Sequence, residues 1–174
     1  MEKRLINKTV YTKGFYVGIA LWKIKHSLLA SVGLFSMCST IYSGIALMET
    51  EPTKGWWTVF AGAIVEPIIV FVIPFFINMR NYKKIVKDNK GQDLEVTMEL
   101  LSDKIVLRNS MTQNQISKYE NVKDITDKGG MLVVMLKSGE SLYFGSADEN
   151  FIGCSKQEFL DRLSRKSDKK VFDV

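Results

Sequence analysis

Two long apolar runs dominate the first half of the chain, and short alternating patterns replace them in the second half. Residues 27–48 contain no formally charged side chain, and residues 56–77 contain one, Glu66. In a helix that rises about 1.5 Å per residue, each run can cross a hydrocarbon core of roughly 30 Å. The intervening residues 49–55 are too few for anything but an antiparallel connection. The pattern predicts a transmembrane helical hairpin over residues 27–79.

Alternation of apolar and polar residues begins at Leu94 and predicts a strand over residues 94–100, because side chains of a half-buried strand alternate between its two faces. Further strands are predicted at residues 104–109, 115–119, 122–126, 131–137 and 141–144. Ser155 and Glu158 form a capping box that predicts a final helix. The predicted fold class is therefore an α+β membrane protein, with the hairpin followed by a small antiparallel β domain that a C-terminal helix closes.

The segment before the first span also reads as helical. Residues 12–25 place Phe15, Ile19 and Trp22 on one face, which favours a helix lying along the inner membrane surface or extending the first span. The predicted division of the chain is an N-terminal amphipathic juxtamembrane segment 1–26, hairpin 27–79 with helices 27–48 and 56–77, basic linker 80–91, cytoplasmic β domain 92–167 and tail 168–174.

Positive charge is concentrated beside the two apolar runs. Residues 1–26 carry a net charge of +5 and residues 80–90 a net charge of +4, whereas the whole chain carries +5. A nucleic-acid-binding domain would carry its cations as a patch on the folded domain, so no nucleic-acid partner is expected. The positive-inside rule predicts a cell-membrane protein with two spans and both termini in the cytoplasm.

Four cations directly after the second span are candidate contacts for anionic lipid headgroups: Arg80, Lys83, Lys84 and Lys87. Cations at a cytoplasmic membrane surface gain about 1 kcal/mol each from anionic lipid. Membrane lipids are therefore the first expected partners of the chain.

Glu66 is the candidate intramembrane polar site, because an ionised carboxyl group near the bilayer midplane is costly and usually faces protein or water. If the turn is centred near Pro52, Glu66 lies at the depth of three hydroxyl side chains: Ser36, Ser39 and Thr40. Small residues recur every four positions in both spans and favour close packing of two faces: Ser36, Thr40 and Gly44, and Thr58, Gly62 and Glu66. Two interpretations stay open: a site for an ion, a proton or another protomer, and a protonated glutamate bonded to a hydroxyl of the first helix.

Residues that carry common catalytic chemistry are scarce in this chain. His26 is its one histidine, and no phosphate-binding glycine motif or paired cysteine motif occurs. The acidic residues Asp148, Glu149, Glu158 and Asp161 read as a solvated surface, and Cys154 as an ordinary loop cysteine. No catalytic residue, metal site or cofactor is predicted, and an enzyme is the least favoured class.

The order of these segments resembles the YcxB-like family of bacterial membrane proteins. The shared features are the helix at residues 12–25, the hairpin, the basic exit after Ile77, and the strands with their final helix. In that family a Trp followed by an acidic residue starts a central strand, and the corresponding residues here are Tyr119-Glu120-Asn121-Val122. The family also has an Ile-Pro-basic segment before the last helix, and it corresponds here to Leu142-Tyr143-Phe144-Gly145. The resemblance implies that the C-terminal domain is similar to the pleckstrin-homology (PH) superfold, and it implies no particular activity.

Three functions are compatible with this sequence. The first is a membrane-anchored interaction or scaffolding module, whose cytoplasmic domain binds a membrane or cytoplasmic protein, binds lipid headgroups, or assembles into a homo-oligomer. The second is a self-protection protein that blocks a toxin or bacteriocin. The third is an oligomeric ion or proton pathway that uses Glu66.

Overall fold

The computed structural model describes residues 4–111 and 114–173. Residues 1–3, 112–113 and 174, which the predicted segments include, lie outside this description. The chain forms two compact units. The first, called the β domain below, contains the residues up to Phe15 and those from Ile85 onward, and the second, called the helical unit, is Tyr16–Lys84. The helical unit is therefore an insertion within the β domain.

The β domain contains two sheets and one covering helix. The larger sheet has the order β4-β3-β2-β1-β8, and the smaller has the order β7-β6-β5-β9. All neighbouring strands are antiparallel except β5 and β9, which are parallel. The strands are β1 (Leu5–Tyr11), β2 (Leu94–Leu100), β3 (Lys104–Asn109), β4 (Gln115–Lys118), β5 (Val122–Lys128), β6 (Met131–Leu136), β7 (Ser141–Gly145), β8 (Phe151–Ile152) and β9 (Val171–Asp173).

Five helical segments accompany these strands in the described residues: α1 (Lys13–Lys25), α2 (Leu28–Leu47), α3 (Pro52–Phe60), α4 (Ile73–Asp88) and α5 (Lys156–Ser167). Two π-helical turns, Ala61–Val65 and Ile68–Val72, join α3 to α4. Together they make one helix, Pro52–Asp88, which is called the second hairpin helix below. The α+β class, the two apolar helices, the six predicted strands and the final helix are all confirmed, with small shifts at the ends of the strands.

The N-terminal prediction was wrong for residues 5–11. Leu5–Tyr11 is not part of a juxtamembrane segment but strand β1, paired along its whole length with β2 and lying between β2 and β8 in the larger sheet. Its buried positions are Leu5, Asn7 and Thr9, while Val10 is exposed. Two of the three inward positions are polar, so the alternation of hydrophobic residues that marks a strand is missing from the sequence.

Asn7 and Thr9 are buried because they bond to each other and to the smaller sheet. The Asn7 amide donates to the carbonyl of Gly145 at 2.8 Å, and the Thr9 hydroxyl donates to Asn7 Oδ1 at 2.9 Å. The Thr9 hydroxyl also accepts from the backbone N–H of Gly145 at 2.8 Å. Tyr11 adds a fourth bond, from its hydroxyl to the Tyr143 carbonyl at 2.5 Å. These bonds join β1 of one sheet to β7 of the other and satisfy polar groups that would otherwise be buried unpaired.

Two further boundaries differ from the sequence prediction. Residues 80–91 are not a separate linker, because α4 continues to Asp88 and its basic residues lie on the end of the second hairpin helix. The C-terminal residues are not a free tail either, because Val171–Asp173 form β9 beside β5. A three-residue strand is too short to be distinguished from a tail by alternation alone.

The core of the β domain lies between the sheets and under α5. Phe144, Phe159, Leu132 and Leu163 are fully buried there, and the rings of Phe151 and Phe159 meet at 5.3 Å. Ser155 begins α5 as predicted, since its hydroxyl accepts the N–H of Glu158 at 3.1 Å. The capped amphipathic helix therefore closes the sheets by burying its apolar face.

We predict that Thr9→Val weakens the attachment of β1 to the smaller sheet. The substitution keeps the shape of the side chain but leaves Asn7 Oδ1 and the Gly145 N–H without their partner, at a cost of about 1–3 kcal/mol. Hydrogen exchange of the full-length protein should then be roughly 5- to 150-fold faster in peptides from β1 and β7. Thr97→Val on the neighbouring strand is the control, because Thr97 is only partly buried. Equal exchange rates in the two variants would show that the Asn7–Thr9 bonds do not hold β1.

Candidate functional site

The two long helices of the helical unit approach each other at glycines. A Cβ atom added to Gly44 would lie 2.7 Å from Val59 Cγ2, and one added to Gly55 would lie 2.7 Å from the Met48 backbone nitrogen. Gly33 and Gly62 are equally confined, since an added Cβ would lie within 3 Å of the Val70 or Ile41 side chain, respectively. This is the small-residue packing that lets the backbones of helices in a membrane come close.

Glu66 lies at this helix–helix contact. The hydroxyl of Thr40 on α2 donates to Glu66 Oε1 at 2.8 Å. Of the three partners predicted from the sequence, the structure brings Thr40 to Glu66, whereas Ser36 and Ser39 lie on the exposed side of α2. Thr40 lies seven residues after Gly33 and four before Gly44, which places it on the packed face. Ser36 lies four residues before Thr40, at the margin of that face, and is exposed.

The second carboxyl oxygen of Glu66 is buried and has no hydrogen-bond partner among the described residues. Gly62, one turn earlier on the same helix, faces the same part of α2, since a Cβ atom there would lie 3.2 Å from Thr40 Cβ. Thr40, Gly62 and Glu66 are therefore mutual neighbours.

The π-helical turns explain how this helix accommodates its prolines. Each turn ends shortly before a proline, Pro67 or Pro74, whose ring would clash with the carbonyl one α-helical turn earlier. In the first turn the Glu66 N–H donates to the carbonyl of Ala61, five residues back. The next bond of that pattern would join the Gly62 carbonyl to residue 67, and proline has no N–H. In that pattern residue 67 therefore supplies no hydrogen bond to the Gly62 carbonyl.

The four candidate lipid contacts form a stripe along α4, called the basic stripe below: Arg80, Lys83, Lys84 and Lys87. The three lysines follow Arg80 by three, four and seven residues, which puts all four side chains on one helix face. All four are exposed. In the part of the chain that the structure describes, none of them forms an ion pair, whereas Lys8 pairs with Glu95 at 2.9 Å. Unpaired cations on one face are free to contact anions.

A buried charged group in the β domain was missed by the sequence analysis. Asp127 on β5 accepts a hydrogen bond from Ser146 and pairs with Lys156 Nζ at 2.6 Å. The pair borders an open groove of about 730 Å³ that Asp148 and Asp161, predicted as solvated, also line. No local pattern marks Asp127, because its partners are 19 and 29 residues away. The Asp127–Lys156 pair joins the start of α5 to the smaller sheet, and this structural role explains why a charged side chain is buried there.

The outer edge of the larger sheet is a second surface of interest. Strand β4 ends the sheet and pairs only with β3 in the described residues, so one row of its backbone groups faces outward. Ile116 on this strand is 63% exposed. A shallow groove beside it is lined by Ile116, Tyr119 and several charged side chains. An exposed edge strand with an apolar side chain can pair with a strand of another protein.

Comparison with known proteins yields no match among family models, curated proteins or solved structures. The site must therefore be interpreted from its own geometry.

We predict that Gly44→Ala disrupts the helix–helix contact that positions Thr40 and Glu66. The added methyl group would meet backbone atoms of the second hairpin helix within about 3 Å, so the helices must move apart. The melting temperature of the full-length protein in detergent should fall by several degrees. Gly18→Ala is the matched control, since nothing lies within 4 Å of its added Cβ and alanine favours the helix. Identical melting of the two variants would contradict close packing at Gly44.

Proposed function

We propose that the protein is a membrane-anchored, non-enzymatic interaction module, in which the hairpin crosses the cell membrane twice and the β domain binds a protein partner at its surface. The single observation that carries this proposal is the exposure of the hairpin. In the most apolar stretch of α2, only 17% of the residues are buried. In the most apolar stretch of the second hairpin helix, only 11% are buried. Large side chains such as Phe35, Ile69 and Phe76 lie exposed on them.

Such a surface would be unstable in water, because apolar area costs about 25 cal/mol per Å² when hydrated. The core helix of a soluble protein would be mostly buried instead. A helix that is apolar on all sides and unburied by protein is explained by a lipid environment. Trp56 and Trp57 at the start of the second hairpin helix are exposed and fit the interfacial position that tryptophan favours.

The β domain supports an even number of membrane crossings. The chain leaves the larger sheet after Tyr11 and returns to it at Leu94, and these two residues are paired neighbours in that sheet. An insertion whose two ends are held together must begin and end on the same side of the membrane. Two spans meet this requirement. The cations that flank the insertion then favour the cytoplasmic side for the β domain and both termini.

Cysteine labelling can test this arrangement directly. In a background with Cys38 and Cys154 replaced by serine, we expect Thr53→Cys, exposed in the first turn of α3, to react with a membrane-impermeant maleimide on intact cells. Ser138→Cys in the exposed β6–β7 turn serves as the matched probe of the β domain and should react only after the cells are opened. Labelling of both sites in intact cells, or of neither, would contradict two spans with a cytoplasmic domain.

The strand order supports the PH-like interpretation that the YcxB-like resemblance implies. Strands β1 to β4 follow one another across the larger sheet, β5 to β7 follow one another across the smaller, and α5 then covers the core. We therefore propose a PH-like domain that is split by the membrane hairpin between its first and second strands. A domain of this size is suited to recognition.

Two surfaces provide the contacts for such recognition. The β4 edge, with exposed Ile116, offers backbone groups and an apolar anchor to a partner strand. The basic stripe follows the second span directly, where anionic headgroups attract each cation by about 1 kcal/mol. The proposed roles are thus distinct: the β4 edge selects a protein and the stripe binds lipid.

Crosslinking in native membranes tests the two roles together. With a tag on the C-terminus of the full chain, we expect a reproducible protein partner, identified by mass spectrometry. Ile116→Asp should reduce its recovery at least tenfold, because a charge replaces the apolar anchor. Ile152→Asp is the control, since Ile152 is also exposed but lies at the opposite edge of the same sheet.

The basic stripe has its own variant in that experiment. Replacing all four cations with glutamine should leave the partner in place but lower the share of anionic lipid that co-purifies with the protein. If the Ile116→Asp variant recovers as much partner as the wild type, the β4 edge is ruled out as the docking surface. Unchanged lipid composition in the glutamine variant would rule out the stripe as a lipid site.

A further inference from the structure

We propose that Thr40, Gly62 and Glu66 form a binding site for one small monovalent cation, such as Na⁺, inside the helical hairpin. The site rests on the proposed membrane location of the hairpin but not on the β domain or its partner.

The first argument is the unsatisfied oxygen of Glu66. One carboxyl oxygen accepts from the Thr40 hydroxyl at 2.8 Å, while the other is shielded from solvent and has no donor in the described residues. A buried polar atom without a partner costs stability and marks a place where a group absent from the protein itself can bind. The neighbouring groups at this contact cannot fill the gap, because Gly62 has no side chain and the Thr40 proton is already donated.

The second argument is the set of oxygen atoms. The hydroxyl oxygen of Thr40 keeps a free lone pair when it donates its proton to Glu66. The π pattern would pair the carbonyl of Gly62 with residue 67, which is a proline and has no N–H to donate. Interrupted membrane helices use such freed carbonyls, together with side-chain oxygens, to hold Na⁺. The close approach at Gly62, where a Cβ would lie 2.9 Å from Ile41 Cγ1, brings these groups together.

The third argument is charge. Glu66 is the one acidic residue among residues 52–87, and no Asp or Glu occurs in α2. A monovalent cation would neutralise a single carboxylate, whereas a divalent cation would leave a net charge in hydrocarbon, which is costly. The donor set is therefore matched to one positive charge and to a cation that prefers oxygen.

The test is the thermal stability of the full-length protein in detergent at constant ionic strength and mildly alkaline pH. We expect NaCl, compared with choline chloride, to raise the melting temperature by about 4–8 °C once Na⁺ is roughly 30-fold above its dissociation constant. KCl and LiCl are run beside it to rank the cations by size. Glu66→Gln should abolish the difference, because the amide keeps the shape of the side chain and removes its charge.

Two threonine variants keep the test decisive if Glu66→Gln does not fold. Thr40→Ser retains the hydroxyl and should retain the Na⁺ shift, while Thr40→Val loses the hydroxyl and should lose the shift. Ser39→Ala on the exposed side of α2 is the control and should behave as the wild type. If the wild type melts at the same temperature in Na⁺, K⁺, Li⁺ and choline, the proposal is overturned, and a proton rather than a metal cation neutralises Glu66. A shift that survives in Glu66→Gln would overturn it as well.

These outcomes are separate from those of the interaction module. The partner and lipid experiments use substitutions in the β domain and the basic stripe, whereas the cation experiment uses substitutions in the hairpin. If the wild-type protein shows no Na⁺ effect but still binds its partner, only the cation site is rejected.

Discussion

The pairing of β1 with β2 is the constraint on which the rest of this structure depends. It runs from the Leu5–Leu100 pair to the Tyr11–Leu94 pair and brings together the two ends of residues 12–93, which contain the inserted helical unit. The Asn7 and Thr9 hydrogen bonds add a link from the same strand to the second sheet. Because both ends of the insertion are held at one place, the hairpin must return to the side from which it leaves. The domain is thereby completed only when the N-terminal strand and the segment after the hairpin meet.

Inside the hairpin the corresponding constraint is the close approach of backbones at glycine. In the membrane location that we propose, lipid provides no hydrophobic drive for two apolar helices to associate, so packing and polar contacts must supply it. Gly33, Gly44, Gly55 and Gly62 allow the approach, and the Thr40–Glu66 bond is the polar contact that it positions. The prolines then change the pattern of backbone bonds next to that contact. The same few residues thus provide both the helix packing and the oxygen-rich site that we propose binds a cation.

Much of the architecture is local and was predictable. The two apolar runs, the alternation in β2, and the Ser155 capping box each depend on residues close in the sequence, and each was confirmed. The basic stripe was also evident, although its helical spacing became clear only when α4 was seen to continue to Asp88. Thr40 was one of three candidates for Glu66, because Ser36 belongs to the same predicted row of small residues and Ser39 lies at the same predicted depth.

The sequence by itself determined six of the strands, the final helix, the two candidate spans and the distribution of charge, because hydrophobic periodicity and flanking cations act over a few residues. Only the tertiary structure decided that Leu5–Tyr11 and Val171–Asp173 are strands, and that Asp127 is paired with Lys156. The physical reason is the same in each case. A buried Asn, Thr or Asp is stable only when a distant residue supplies its hydrogen bond or countercharge, and a short edge strand exists only when its neighbour is in place.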